Sequence, residues 1–305
     1  MDGILPLWKP KGMTSHDCVM KLRGILHTKK VGHTGTLDPE VEGVLPMCIG
    51  QATKIASYVT ESEKVYEAKV TLGYSTETED ATGAVVHRKA VKENITSEEI
   101  GNILTAFQGE ITQITPMYSA VRVDGKRLYE YAREGITVER PKRNVVIHTL
   151  ELLEREMEYG EDTVSFYIRI VCSKGTYIRT LCVDIGEALG YPAHMSSLIR
   201  TASGSFEQSE AYTFETIQYE KDHGDLMPLL KPMDRGVKHL SSLTISDSEG
   251  DKVYHGTVFP KPDPAPSTNP FTMVNENGKL LAIYQIHPEK PHLIKPVRVF
   301  HYDQS

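Results

Sequence analysis

The sequence predicts an α+β fold, a largely antiparallel mixed sheet flanked by helices, followed by a small β-rich domain. Three observations carry this. Candidate strands and helices mix without the strict strand–helix–strand rhythm of a parallel sheet. Val145–Leu153 and Thr163–Val171 read as neighbouring paired strands. Around Pro232–Gly236 the pattern breaks, and from there to Ser305 the chain is short strands with many turns. The expected division is therefore residues 1–236 and 237–305.

In order, Gly3–Trp8 reads as a strand and Lys9-Pro10-Lys11-Gly12 as a turn. Ser15 is placed to cap a helix running to about His27, with Val19, Leu22, Ile25 and Leu26 at helical spacing. Gly32–Pro39 has two glycines and an Asp-Pro step, which predicts a loop. Val44–Ile49 resembles a buried strand, Ala52–Val59 a short helix, and Val65–Leu72 a strand with one buried face. Ser97 opens a helix through Phe107. Ser119–Val123, Asp124-Gly125 and Lys126–Arg133 read as strand, turn and helix, and Tyr177–Leu189 as another helix. Pro260–Pro270 holds five prolines in eleven residues and must be loop.

Composition, with 39% hydrophobic and 25% charged residues, is that of an ordinary globular protein. The first residues show no cationic segment followed by an apolar one, and no apolar run approaches a membrane span, so a cytoplasmic protein without a membrane partner is expected. Cys18, Cys48, Cys172 and Cys182 lie far apart without metal-ligand spacing, which predicts reduced, mostly buried thiols. The net charge of −7 argues, alone, against a nucleic-acid partner. Distribution matters more than the total. Lys9 to His33 holds six basic residues against one acid, and Arg122 to Arg143 seven against four. Two basic patches on an acidic body fit a protein that grips a polyanion locally; solvated helix faces would look the same.

Phosphate loops, dinucleotide turns, HExxH and GxSxG are all missing, and no histidine pair stands at ligand spacing beside a carboxylate. Chemistry by side chains alone, with no cofactor and no metal, is what remains. Two stretches stand out. Gly32-His33-Thr34-Gly35-Thr36-Leu37-Asp38-Pro39 joins a basic segment to an apolar strand, and loops on rigid scaffolds often carry function, although a bare Asp-Pro is usually only a turn. In Ser173-Lys174-Gly175-Thr176-Tyr177-Ile178-Arg179-Thr180, capping by Thr176 would put Arg179 in the first helical turn. A cation there faces the positive end of the helix dipole, so Arg179 either has an anionic partner outside its helix or bends into solvent.

Taken together, Gly32–Pro39, Gly43-Val44-Leu45-Pro46, Lys64-Val65-Tyr66 and Gly175–Thr180 resemble the bacterial tRNA pseudouridine-55 synthases. Lys9-Pro10, Met117-Tyr118-Ser119-Ala120, Lys126–Arg133 and His194–Arg200 match in the same order, so the resemblance spans roughly residues 3–205. It implies a pseudouridine-synthase-like catalytic domain, with Asp38 as the catalytic aspartate, Arg179 as its partner and Tyr66 against the target base, implicated in proton removal. On the substrate-binding side it implies His33 entering the T-loop beside a flipped nucleotide, Tyr177 and Leu198 as pocket wall, and Lys9 with Pro10 supporting the site. Glu42 departs from the family pattern, where a small or hydroxyl residue is expected. Val253–Val258 resembles part of the RNA-binding PUA module. The implied partner is tRNA, through its T stem-loop, and a monomer suffices.

Pseudouridylation breaks the N1–C1′ bond, turns the uracil and rejoins it through C5, importing no group. Attack at C1′, attack on the base and abstraction of a sugar proton all need one ionised carboxylate. An aspartate in a mostly apolar pocket resists ionisation, and a bidentate guanidinium pair counters that. The alternatives are a non-catalytic RNA-binding or tRNA-folding protein, which leaves Asp38, Arg179 and Tyr66 without purpose, and a base glycosylase, which would release free uracil.

Overall fold

The computed structural model describes residues 1–92 and 94–301; the last four residues of the predicted C-terminal domain lie outside that set. The chain opens on β1 (Gly3–Lys9) and α1 (Ser15–Leu26), followed by β2 (Val31–His33) and β3 (Glu42–Ile49). A 3-10 turn at Gly50–Ile55 leads into α2 (Ala56–Glu61), then come β4 (Lys64–Leu72) and a hairpin of β5 (Tyr74–Thr76) with β6 (Val85–Arg88). α3 (Ser97–Ala106) and β7 (Gly109–Ile114) precede a small lobe made of β8 (Arg122–Val123), β9 (Lys126–Arg127) and α4 (Leu128–Arg133). β10 (Lys142–Leu152), β11 (Glu158–Tyr159), β12 (Val164–Cys172), α5 (Ile178–Ala188) and β13 (Ala193–Ser203) complete the large sheet, with a short strand at Phe206–Glu207.

That sheet runs β1-β3-β13-β4-β12-β10-β7 and is antiparallel except where β13 lies parallel to β3. Its strands alternate inward and outward as the apolar pattern predicts; β4 reads buried, intermediate, buried along most of its length. One face packs on α3 and α5 through residues such as Leu72, Ile100, Phe166, Ile168 and Leu181. α1 covers β1 and β3 with Cys18, Val19, Leu22 and Leu26. The parallel junction of β13 and β3 brings the two backbones so close that a Cβ on Gly43 would lie 2.3 Å from the Arg200 carbonyl, and Gly43 has φ +130°. Only glycine fits there.

The predicted order of elements reappears with shifts at the ends. α1 is capped by Thr14, not Ser15: the Thr14 hydroxyl accepts from the Asp17 amide while the Asp17 carboxylate accepts from the Thr14 amide. Gly32 and His33, the first two residues of the expected loop, instead pair with β3 in the edge strand Val31–His33, so the loop begins at Thr34. The predicted strand Ser119–Val123 shrinks to the two residues of β8. β7 and β13 have no counterpart among the elements expected from the sequence.

From Ser242 a five-stranded sheet follows in the spatial order Ser242–Ile245, Phe271–Asn275, Leu280–Ile286, Leu293–Val299, Phe259–Pro260. It docks on the back of the large sheet, where Ile4, Val44, Cys48, Ile55 and Val59 meet Val237, Leu280, Ile283 and Phe300. Among the described residues no helix is long and apolar enough to cross a membrane. All four cysteines are free and buried.

Candidate active site

The residues 34–41 connect β2 to β3 and are fastened from below by buried polar groups. Thr34 donates its hydroxyl to the Pro46 carbonyl at 2.9 Å. Ser15, released from capping, accepts from the Leu37 amide at 2.9 Å. Lys9 is fully buried at the end of β1, and its ammonium donates to the carbonyls of Pro10, Pro39 and Val41 at 2.9, 3.1 and 2.7 Å. Leu37 and Val41 sink into the core on either side. Asp38 is thereby pushed outward at the rim of a cavity of about 610 Å³. Its side chain is 45% exposed, so the carboxylate is not enclosed in the way the sequence predicts.

Arg179 comes from the first turn of α5. Its Nε lies 3.1 Å from Asp38 Oδ2. The pair is single rather than bidentate, because the other two nitrogens are engaged elsewhere: one donates to the Thr78 carbonyl at 2.9 Å, the other to the Tyr118 carbonyl at 3.0 Å. Asp80 Oδ2 stands 3.7 Å from the same guanidinium. Arg179 is buried in spite of its charge, and three segments of chain hold it. Thr176 does not cap α5; its hydroxyl donates to the Ser173 carbonyl, and Tyr177 takes the cap position without a side-chain bond of its own.

Register places the remaining wall. Tyr66 on β4 stands opposite Arg200 on β13. Arg200 is almost wholly buried, donating from Nε to the Val44 carbonyl at 2.8 Å. Burial raises the Tyr66 phenol, and the charge of Arg200 opposes that only in part. A phenol so placed stays neutral, and it can relay a proton more readily than it can remove one unaided. Leu198, two residues before Arg200, closes the apolar side, and Tyr177 lines the opposite edge with Arg143 5.2 Å over its ring. Lys64, also in the wall, is drawn down to about 8, first by burial and then by the Arg200 charge.

Asp38, Tyr66, Arg179, Tyr177 and Leu198 thus line one cavity. Lys9 is not in that lining: its buried amine is spent on three backbone carbonyls beneath the loop, which it positions. His33 sits on β2 beside the cavity, with a buried Nδ1 that has no hydrogen-bond partner and an imidazole held low by burial and by Arg200. Sequence reasoning passed over Arg200 and Lys64 as individuals, and over Asp80 and Gln113 entirely. Gln113 has no motif chemistry, and its contacts exist only once β7 lies against α5. Among the described residues no cluster of His, Cys, Asp and Glu could hold a metal ion.

Two family profiles match the chain: "TruB family pseudouridylate synthase (N terminal domain)" over residues 23–178 and "tRNA pseudouridylate synthase B C-terminal domain" over 179–238. A protein of Oceanobacillus iheyensis called tRNA pseudouridine synthase B is 54% identical over 301 residues, covering 98% of each chain. The protein of that name from Bacillus subtilis is 51% identical over 302 residues, covering 98% of this chain and 97% of its own. Among solved structures, a chain of a Cbf5-Nop10-Gar1 complex superposes with a TM-score of 0.73 at 27% identity, over 99% of this chain and 84% of the other. A chain from an H/ACA RNP bound to a substrate RNA containing 2′-deoxyuridine gives 0.72 at 25%, over 99% and 86%.

Proposed function

The chain belongs to the TruB family of pseudouridylate synthases, and we propose that it isomerises uridine 55 of tRNA to pseudouridine, with Asp38 as the carboxylate that carries out the rearrangement. The observation that carries this assignment is the 3.1 Å contact between Asp38 and a buried arginine at the rim of the cavity. Arg179 holds and aims the Asp38 carboxylate, while its exposed face is left free for the reacting nucleoside.

A uridine within the T-loop hides C1′, so the nucleotide is extruded into the cavity, at a cost on the order of a few kcal/mol. The wall is suited to receive it. Tyr66 and Leu198 offer apolar surface for the uracil ring, and Lys64, Arg143, Lys174, Arg179 and Arg200 surround it with positive charge. The neutral His33 takes the space that the base vacates. After the uracil rejoins through C5, the proton there leaves by way of the Tyr66 hydroxyl or a water that it orients. The basic lobe between β7 and β10 grips the T stem-loop, the C-terminal sheet serves as a PUA-like RNA-binding module, and the protein works as a cytoplasmic monomer.

Tritium release from tRNA labelled at C5 of uridine tests the assignment. Wild type should release one tritium per tRNA, and Asp38→Asn should be slower by at least about a thousandfold while binding tRNA as well. A variant that binds and also turns over normally would remove Asp38 from the chemistry.

A further inference from the structure

The lobe between β7 and β10 leaves the large sheet and returns to it; its outgoing stem touches the first turn of α5 directly, and its returning stem reaches that turn through Glu79. On the outgoing stem, Gln113 is 1% exposed and uses its whole carboxamide on one residue. Its Oε1 accepts from the Tyr177 amide at 2.9 Å and its Nε2 donates to the Tyr177 carbonyl at 3.0 Å. Tyr177 is the residue at which α5 begins without a cap of its own, so Gln113 supplies that cap from a neighbouring strand. Five residues on, the Tyr118 carbonyl accepts directly from Arg179.

On the returning stem, Arg140 stands 3.8 Å from one oxygen of Glu79, and the other oxygen accepts from the Thr180 hydroxyl at 2.7 Å. Glu79 itself has φ +64°, a left-handed conformation that a residue with a side chain adopts only under constraint. It lies between Thr78, whose carbonyl receives Arg179, and Asp80. Tyr177, Arg179 and Thr180 are therefore each tied either to the outgoing stem or to Glu79, which the returning stem contacts.

We infer that Gln113 and Glu79 are positioning residues, which hold the first turn of α5 between the two stems so that the lobe's engagement with RNA sets the aim of Arg179 on Asp38. The inference rests on the proposed pairing of those two residues in the reaction. It assigns neither Gln113 nor Glu79 any contact with the substrate. Misplacing a reacting group by a fraction of an ångström slows the chemical step far more than it weakens binding, so the expected signature is a split between the two.

The experiment is single-turnover tritium release at saturating C5-labelled tRNA, with tRNA Kd measured in parallel. Gln113→Met keeps the volume and removes both hydrogen bonds; Glu79→Ala removes both contacts of the carboxylate, and Glu79→Gln keeps the acceptor for Thr180. Gln113→Met and Glu79→Ala should be slower by about 10- to 100-fold with Kd within about threefold, and Glu79→Gln should recover most of the Glu79 loss. Combined with Arg179→Lys, Gln113→Met should add no more than about twofold, since both act through one group. Wild-type rates in the single variants, or losses that multiply in full in the combined one, would overturn the inference. Asp38→Asn, run beside them, keeps the questions apart: if it turns over, the assignment of the carboxylate fails, whatever Gln113 does. Should Gln113→Met not fold, the two Glu79 variants decide the matter by rescue or its absence.

Discussion

The loop 34–41 and the lobe between β7 and β10 both face the cavity, yet they are built in opposite ways. The loop has no regular structure, and still Thr34, Leu37 and Val41 are buried and its backbone is fastened by Lys9, Ser15 and Thr34. The lobe has strands and a helix, but within β8, β9 and α4 only Leu128 is buried, and Ile136 beyond them is 46% exposed. Regular structure is thus not what makes a segment rigid here; buried polar anchorage is. Asp38, proposed to act on the nucleoside, sits on the fastened segment, and the cations proposed to meet the RNA sit on the other.

The strongest way to break that contrast is to unfasten the loop. Lys9→Met keeps the apolar stem and removes the donor shared by three carbonyls, two of which, on Pro39 and Val41, follow Asp38 in the loop. Leaving buried acceptors unpaired costs about 1–3 kcal/mol in all, with some relief from removing a buried charge. Urea unfolding should show a lower midpoint. Turnover at saturating tRNA should fall by about tenfold or more in the fraction that remains folded. A folded Lys9→Met enzyme with wild-type turnover would mean that the loop holds its shape without its anchor.

The complementary test loosens nothing and removes charge from the lobe. Arg122, Lys126 and Arg133 are at least partly exposed, and their contacts are local: Arg122 to the Gly125 carbonyl, Lys126 to Glu134, Arg133 over the Tyr129 ring. Exposed pairs of this kind add little stability. Replacing all three by Gln should therefore leave the unfolding midpoint alone. It should raise the tRNA Kd and flatten its dependence on salt by up to about 0.7–0.9 per cation that meets a phosphate. Saturating turnover should remain near wild type. An unchanged salt slope would place the RNA elsewhere on the protein.

The two regions also differ in how far they can be read from the sequence. The loop announces itself through Gly32–Pro39, and the first turn of α5 through an arginine at the wrong end of a helix dipole. Asp38 and Arg179 do meet, as that dipole argument requires if Arg179 is not to point into solvent. Everything that depends on register escapes such a reading. Arg200 matters because β13 runs between β3 and β4, and β13 is unreadable because Ala193–Ser203 mixes serines with apolar residues and shifts register twice, at Met195/Ser197 and Arg200/Ala202. Gln113 is an ordinary polar residue until β7 is laid beside α5. Ser15 misleads for a local reason: Thr14 and Ser15 are both good caps, and the Thr14–Asp17 box decides between them. Short-range chemistry is written in neighbouring letters, whereas a clamp between elements distant in the chain has no local signature.

The gentlest test concerns α5, on which loop and lobe converge. Asp184 follows Thr180 by one helical turn and so shares the face that carries Glu79. Burial pushes its carboxyl up to about 6, and the nearby Glu187 and Glu79 add to that. The unfolded chain ionises near the ordinary value of 3.8, so between that pH and about 6 the folded protein holds a proton that the unfolded chain has released. Its contribution to stability is therefore full below about pH 4 and is lost as the pH rises through 6. Asp184→Asn abolishes the ionisation. Its melting temperature should match wild type near pH 4 and exceed it above pH 7, by up to about 5 °C for a chain of this size. A difference of the same size at both pH values would show that the amide changes packing rather than charge. The α5 face would then be limited by fit, and the acidic cluster beneath the lobe would have no part in setting how firmly that helix is held.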